Sequence, residues 1–213
     1  MLARLGKEAR FVDGLRVTDA ETRDVALMVL AGQVNKRLVA ALQLEGRAAI
    51  GLCGGDGGAF QAVKKSSGGA DLGFVGEITA VDPRWIEALW EKGGIPVISS
   101  LALGPGGEYY NVNADQMASA CAAGCKADAL VFLTDVAGVK GPDGAVLRSL
   151  SSSGIQRLVE AGVVRGGMLP KLKACTDALR GGVGRVRILP AAAAGALFGL
   201  GSGTIDSGTE VSA

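Results

Sequence analysis

The chain has 213 residues, of which 48% are hydrophobic and 20% charged. That is ordinary for a soluble globular protein, with apolar material for a sizeable core and too much of it for a wholly disordered chain. The 22 basic and 21 acidic residues nearly cancel without any basic block, so nucleic acid has no electrostatic footing; histidine is absent, which removes Ser-His-Asp hydrolysis, Cys-His proteolysis, histidine-ligated zinc and phosphohistidine chemistry.

In chain order, Leu2 to Gly6 reads as the tail of a helix stopped by Gly6. A helix that short is marginal alone, so something is expected to precede it. Asp13-Gly14, between the apolar ends of Phe11–Thr18, signals a hairpin. Thr18 with Glu21 forms a capping box, predicting a helix from near Asp19 with Val25, Met28 and Val29 on its apolar face. Gly32 is expected to interrupt it, and Val34, Leu38 and Leu42 continue a second helical stretch to Gly46. Ala48–Leu52 reads as a strand opening into the glycine-dense turn Gly54–Gly58. Phe74-Val75 and Ile78–Val81 are strand material, with Gly76 at a close approach. Pro83 suits the first turn of a helix carrying Trp85, Ile86, Leu89 and Trp90, and Ile95–Ile98 is the next strand.

Residues 104–110 read as a glycine-rich loop, after which Asn111 or Asn113 caps a helix with the stripe Ala114, Met117, Ala118, Cys121, Ala122 and Cys125. Ala129–Leu133 is continuous and apolar, like a strand buried on both faces. Ser153–Ala161 and Met168–Leu179 read as helices, Val186–Leu189 as a strand, Ala191–Phe198 as a helix, and the polar tail from Ser207 is expected to fray. Strands alternating with helices predict an α/β sheet covered by helices, with no internal repeat and no evident domain boundary. No apolar run reaches about 18 residues, so no membrane span is expected. Met1–Phe11 has no apolar core of a signal peptide, which points to the cytoplasm. Cys53, Cys121, Cys125 and Cys175 match no disulfide or metal spacing and read as free thiols.

Four segments carry chemical potential. Tyr110-Asn111-Val112-Asn113-Ala114-Asp115 sets two amides and a carboxylate at a helix N-terminus; capping is the plain reading, and a helix N-terminus is also an anion site. Leu133-Thr134-Asp135-Val136-Ala137-Gly138-Val139 leaves the carboxyl end of a strand, where open α/β sheets bind ligands; taken alone, an ordinary exit from strand to loop is the plainer reading. Gly166-Gly167-Met168-Leu169-Pro170-Lys171 places a lysine in a helix's first turns, against the helix dipole, which suggests a nearby anion; a solvated surface lysine is the alternative. Arg16 follows the hairpin turn and could bind a carboxylate through a bidentate fork; a surface arginine is the alternative. No G-x-x-x-x-G-K-[ST], H-R-D, D-F-G or G-x-G-x-x-G motif is present.

Together with Phe11–Asp19, Asp56-Gly57-Gly58 and Leu72–Glu77, these segments resemble, in order and over nearly the whole chain, the acetylglutamate kinase branch of the amino acid kinase family. The resemblance implies an α/β fold, an open three-layer αβα sandwich with a mainly parallel sheet. It implies a single domain over residues 1–213, the part up to about 110 serving the acylamino acid and the part from about 111 the nucleotide. It implies transfer of the γ-phosphoryl group of ATP, with Mg²⁺, to the side-chain carboxylate of N-acetyl-L-glutamate in arginine biosynthesis, by a cytoplasmic homodimer or larger homo-oligomer. Arg16, Asn111 and Asn113 match substrate-binding positions, Lys171 and Asp115 catalytic ones. Thr134, Asp135, Gly138, Val139, Gly166, Gly167 and Met168 match nucleotide-binding positions. No protein ligand for the metal is assignable.

Family members begin with a strand bearing a second catalytic lysine and a glycine-rich turn, then another strand and glycine-rich turn; this chain enters the pattern after both, and Lys7 does not match that lysine. The expectation is an N-terminally truncated chain with little activity alone. The alternatives are an impaired copy that binds nucleotide or a partner subunit, and a kinase for a related substrate such as carrier-linked aminoadipate. Gly201-Ser202-Gly203-Thr204 resembles the family's closing motif, with Leu200 where arginine-inhibited members commonly carry an acid.

Overall fold

A computed structural model describes residues 1–12, 14–66, 68–193 and 207–213. The Asp13 half of the hairpin turn, residues 194–198 of the expected last helix, Leu200 and the Gly201–Thr204 motif lie outside the described residues. The chain forms two compact units, Met1–Met117 and Ala118–Ala213.

The first unit opens with a 3₁₀ turn, Leu2–Leu5, closed by Gly6 in the left-handed conformation (φ 69°). β1 (Phe11–Val12) and β2 (Leu15–Arg16) pair antiparallel, Phe11 opposite Arg16. The cap of α1 (Ala20–Ala26) is Asp19, not Thr18: the Asp19 carboxylate accepts the Thr22 N–H at 2.7 Å. Thr18 is fully buried and its hydroxyl is already committed to the Arg16 carbonyl at 2.8 Å, while aspartate is among the best caps and adds a charge that the helix dipole favours.

Nor does Gly32 break the helix. α1 continues through π turns over Leu27–Val34, where the Asn35 N–H reaches back to Leu30 O, into α2 (Asn35–Leu44). One interior glycine costs only ~1 kcal/mol, and tertiary anchoring offsets it. Asn35 is buried, and its amide donates to Val97 O at 2.7 Å and to Leu52 O at 3.3 Å. These carbonyls belong to β3 (Ala49–Cys53) and β6 (Ile95–Ser99), which pair in parallel. The continuous helix Ala20–Leu44, with a mean hydropathy of 1.4, is by length and composition long enough to cross a membrane. Inspection for unbroken apolar runs does not anticipate this. The buried Asn35 amide, bonded to strand carbonyls, ties the helix to a sheet instead.

The rest of the unit is a four-stranded sheet in the order β5-β4-β7-β8, formed by β4 (Phe60–Lys64), β5 (Gly76–Val81), β7 (Leu101–Leu103) and β8 (Tyr109–Asn111). β4 is not evident in the sequence, because its short alternation lies between a glycine cluster and Lys64-Lys65-Ser66. β8 corrects the reading of 104–110 as loop alone: Tyr109 and Tyr110 pair with Leu103 and Ala102. Gly76 makes the expected close approach, since a Cβ there would lie 2.5 Å from Tyr110 Cβ. Pro83 precedes α3 (Arg84–Glu91), which buries Ile86.

α4 (Ala114–Gly124) carries the chain into the second unit. Its sheet runs β10-β12-β11-β9: β9 (Ala129–Thr134) is parallel to β11 (Arg185–Pro190), and β12 (Thr209–Ser212) joins β11 antiparallel and β10 (Ser149–Ser151) parallel. α5 (Ser152–Glu160) and α6 (Met168–Arg180) cover a core built on Phe132, Leu150, Ile155, Leu172, Ile188 and Val211. The tail does not fray: Thr209 and Val211 are buried in β12, a period-two pattern concealed by polar composition. β9 departs from its reading as a doubly buried strand. Only Phe132 is buried, and Leu133 is 45% exposed, so the two faces of β9 are not equally covered. An apolar run alone does not say which faces are covered. The parallel pairs β3–β6, β4–β7, β9–β11 and β10–β12 make both units α/β, and the antiparallel pairs join strands consecutive in the chain.

Candidate active site

In the first unit, a cavity of about 800 Å³ is bordered by Arg16 from β2 and Asn111 from the end of β8. The two are tied through one side chain. Thr18 donates its hydroxyl proton to Arg16 O at 2.8 Å and accepts the Asn111 side-chain N–H at 3.2 Å. The segment Leu72–Val75 laces the same two points together by its backbone. Thr18 N–H donates to Leu72 O, Phe74 N–H to Thr18 O at 2.6 Å, and Asn111 N–H to Phe74 O. Only glycine fits at position 73: its φ is 67°, and a Cβ would stand 2.2 Å from Thr18 O. Thus the Leu72–Glu77 motif positions the cavity wall through backbone contacts.

Arg16 is half-buried, with its guanidinium 4.6 Å from the Phe11 ring centroid across the hairpin. Such stacking holds an arginine planar and oriented while leaving its N–H edge available. Lys7, Glu8 and Thr22 also border the cavity. The Lys7 ammonium contacts Asp19 at 2.7 Å and Glu21 at 2.8 Å. These contacts, that to Asp19 foremost, raise Lys7 above its ordinary value, and Lys7 with the Thr22 N–H holds the Asp19 carboxyl well below the usual carboxylate range. Motif reasoning assigns no site role to Thr18, Thr22, Gly73 or Lys7, although Thr18 and Gly73 lie within the Phe11–Asp19 and Leu72–Glu77 motifs. Their roles are spatial, set by contacts between segments distant in sequence.

Asn113 is the cap of α4, its Oδ1 accepting the N–H groups of Asp115 at 3.1 Å and Gln116 at 3.2 Å. It does not border the cavity, and its amide oxygen serves the helix. Asp115 sits half-buried in the first turn. Asp56 turns its carboxylate onto the Cys53 N–H at 2.8 Å, so the Asp56-Gly57-Gly58 motif here closes the turn after β3.

In the second unit, Gly167 caps α6 by position, Met168 begins it, Pro170 lies in its first turn and Lys171 follows. Gly166 and Gly167 are exposed at this N-terminus, where backbone N–H groups point outward and favour an anion. Lys171 Nζ stands 5.0 Å from the Phe132 ring centroid on β9. Thr134 is two residues on, so its side chain emerges on the same strand face as Phe132. Its hydroxyl contacts Asp135 at 3.2 Å. The α6 N-terminus, Lys171 and the carboxyl end of β9 are thereby brought together. Gly138 adopts φ 148°, and a Cβ there would meet Thr209 Oγ1 and Val146 at 2.8 Å. Val139 is buried, and its N–H donates to Thr209 Oγ1 at 2.9 Å; its side chain is therefore core. Among the described residues no group of three or more Asp, Glu or Cys is placed to hold a metal ion.

Residues 1–190 match the family model described as the amino acid kinase family. The chain is 63% identical over 212 residues to an acetylglutamate kinase of Acidobacterium capsulatum, covering all of this chain and 81% of that protein. It is 56% identical over 210 residues to the acetylglutamate kinase of Koribacter versatilis, covering 99% and 80%. Among solved structures, N-acetylglutamate synthase of Neisseria gonorrhoeae complexed with coenzyme A and N-acetyl-glutamate superposes with a TM-score of 0.86 at 29% identity. That match covers 99% of this chain and 48% of the other. A Streptococcus mutans protein superposes with a TM-score of 0.84 at 27% identity, covering 99% and 80%.

Proposed function

The chain belongs to the amino acid kinase family, and from that membership we propose that it transfers the γ-phosphoryl group of ATP to the side-chain carboxylate of N-acetyl-L-glutamate, a step of arginine biosynthesis. The observation that carries this reading is the shared cavity wall of Arg16 and Asn111, tied together by Thr18. A guanidinium held flat by Phe11 suits the fixed α-carboxylate of the acid. Asn111, whose N–H is directed to Thr18, is oriented to meet the amide of the acyl group.

The nucleophile is a carboxylate, ionised at neutral pH, so no general base is needed and the absence of histidine is no obstacle. One of its oxygens attacks the γ-phosphorus, the bond to the β–γ bridging oxygen breaks, and ADP leaves. The barrier is the approach of two anions, so catalysis rests on positioning and cationic stabilisation. In this reading Gly166, Gly167 and Met168 offer the α6 N-terminus to the phosphates, and Thr134, Asp135 and Gly138 border the nucleotide while Val139 anchors their segment in the core. Lys171 neutralises the transferring phosphoryl group, Asp115 orients catalytic lysine, and Asn113 contributes by fixing the α4 mouth. Mg²⁺, borne on the ATP phosphates, supplies further neutralisation. The site belongs in the cytoplasm, in a homo-oligomer.

Incubation with ATP, N-acetyl-L-glutamate and hydroxylamine tests the reading. Hydroxamate formation that requires both substrates is expected, small in yield where Lys171 is the sole catalytic lysine. ATP hydrolysis indifferent to the acid, with no hydroxamate, would overturn it.

A further inference from the structure

The segment Thr134–Gly138 runs directly into a hairpin. Leu147 N–H donates to Val139 O at 2.8 Å, Lys140 and Val146 form an antiparallel bridge, and Gly141 N–H donates to Ala145 O at 2.8 Å. In such a pair, two opposed residues ordinarily exchange both of their N–H···O bonds. At the root of this hairpin the return bond runs through a third residue. Val139 N–H donates to Thr209 Oγ1 at 2.9 Å, and the Thr209 hydroxyl donates in turn to Leu147 O at 2.6 Å. One side-chain oxygen thus stands in for a rung of the hairpin ladder, accepting from one strand and donating to the other.

Thr209 is fixed in that position by the sheet. It lies in β12 opposite Ile188 of β11 and is 1% exposed. Gly208 before it, at φ 77°, lets the two strands approach, since a Cβ there would stand 2.2 Å from Ile188 O. Glu210 after it donates its N–H to Arg148 O at 2.9 Å, next to the hairpin root. Gly138 leaves room for the hydroxyl itself: a Cβ there would come within 2.8 Å of Thr209 Oγ1.

Resting on the proposed reading of Thr134–Gly138 as a nucleotide-binding segment, we infer that Thr209 is a positioning residue for the nucleotide. Its hydroxyl ties the end of that segment to the sheet before any ligand arrives. Binding then need not order the segment, a cost that would otherwise be taken from affinity.

The test is calorimetric titration of the parent chain, Thr209→Val and Thr209→Ser with ADP and Mg²⁺, and separately with N-acetyl-L-glutamate. Valine keeps the branched shape and strands Val139 N–H and Leu147 O, so ADP affinity should fall about three- to tenfold, whereas serine keeps the hydroxyl and should stay within about twofold of the parent. Acetylglutamate affinity should be alike in all three chains. A second measurement needs no variant and decides the matter even if Thr209→Val does not fold. In the parent without nucleotide, the Val139 amide should exchange with solvent as slowly as the Val186 and Ile188 amides of β11. ADP affinity unchanged in Thr209→Val, equal losses in the valine and serine variants, or a Val139 amide that exchanges as fast as that of Gly144 at the hairpin tip would overturn the inference and leave the reading of Thr134–Gly138 intact. If the parent chain binds no ADP, that reading falls and the inference with it.

Discussion

The Asn111 side-chain amide donates to the Thr18 hydroxyl at 3.2 Å, closing a contact across 93 residues of chain. Thr18 passes that order on to the hairpin by donating to Arg16 O. Thr18→Val keeps the shape and removes the hydroxyl, leaving a carbonyl and an amide N–H without this partner. Groups stranded in this way cost about 1–3 kcal/mol. Denaturant unfolding should report a loss of that size. The KM for the acid should rise while that for ATP holds. Unchanged stability with unchanged KM would show that Thr18 does not organise the wall.

Gly73→Ala attacks the same junction from the backbone. The left-handed conformation costs a non-glycine residue roughly 1–2 kcal/mol, and the new Cβ would stand 2.2 Å from Thr18 O. The Cβ position is fixed by the backbone and the oxygen belongs to it, so neither can swing aside. A stability loss above about 2 kcal/mol is expected, measured as a lower denaturant midpoint at constant slope. A variant as stable as the parent would mean that the 72–75 segment is not held against Thr18.

Arg16 and Lys171 should separate kinetically. If Arg16 binds the acid equally in the ground and transition states, as proposed, Arg16→Ala should raise KM for acetylglutamate by roughly ten- to hundredfold and spare kcat. Lys171 acts on charge that shifts during transfer, so Lys171→Ala should lower kcat by ~10²–10³. Steady-state rates for both variants decide this, and the reverse pattern would exchange the two roles.

Much of the fold can be read from local pattern, because the signals are backbone-local. Gly6 ends a turn, Phe11–Val12 and Leu15–Arg16 form a hairpin, and the stripe from Ala114 is the helix Ala114–Gly124. The failures share a physical cause. β12 is polar in composition and buried by alternation, Gly32 is overridden by the Asn35 anchor, and β9 is apolar without being covered on both faces. In each, tertiary context outweighs propensity. At the site, motif reasoning named Arg16 and Asn111, which border one cavity. It quoted Thr18 and Gly73 within motifs but gave them no role, because Thr18 acts through its hydroxyl and Gly73 through backbone on residues distant in sequence. Of the two compatible readings of Asn113, cap and ligand contact, the structure shows the cap, its oxygen accepting from α4.

Asp19 joins two roles, helix cap and partner of Lys7, and pH separates them. Asparagine caps a helix about as well as aspartate, so Asp19→Asn retains the bond to the Thr22 N–H and removes the charge facing Lys7. The folded Asp19 carboxyl titrates well below its ordinary value, chiefly because of the Lys7 ammonium and then Thr22. A depressed folded value makes the charged form stabilising above the unfolded titration point and progressively less so as pH falls through the folded one. Lys7, raised by Asp19 and Glu21, behaves oppositely, its contribution being present below its unfolded value and lost as pH rises through the folded one. The pair is therefore intact between these limits. Asp19→Asn should melt below the parent at neutral pH, and the gap should narrow as pH drops below about 4, where the unfolded carboxyl protonates. Added salt should narrow it too, because both partners are near the surface. Thermal melts at neutral and acid pH, with and without salt, measure both effects; a gap that stays constant across pH would mean that the Lys7–Asp19 charge contact contributes nothing to the fold around the cavity.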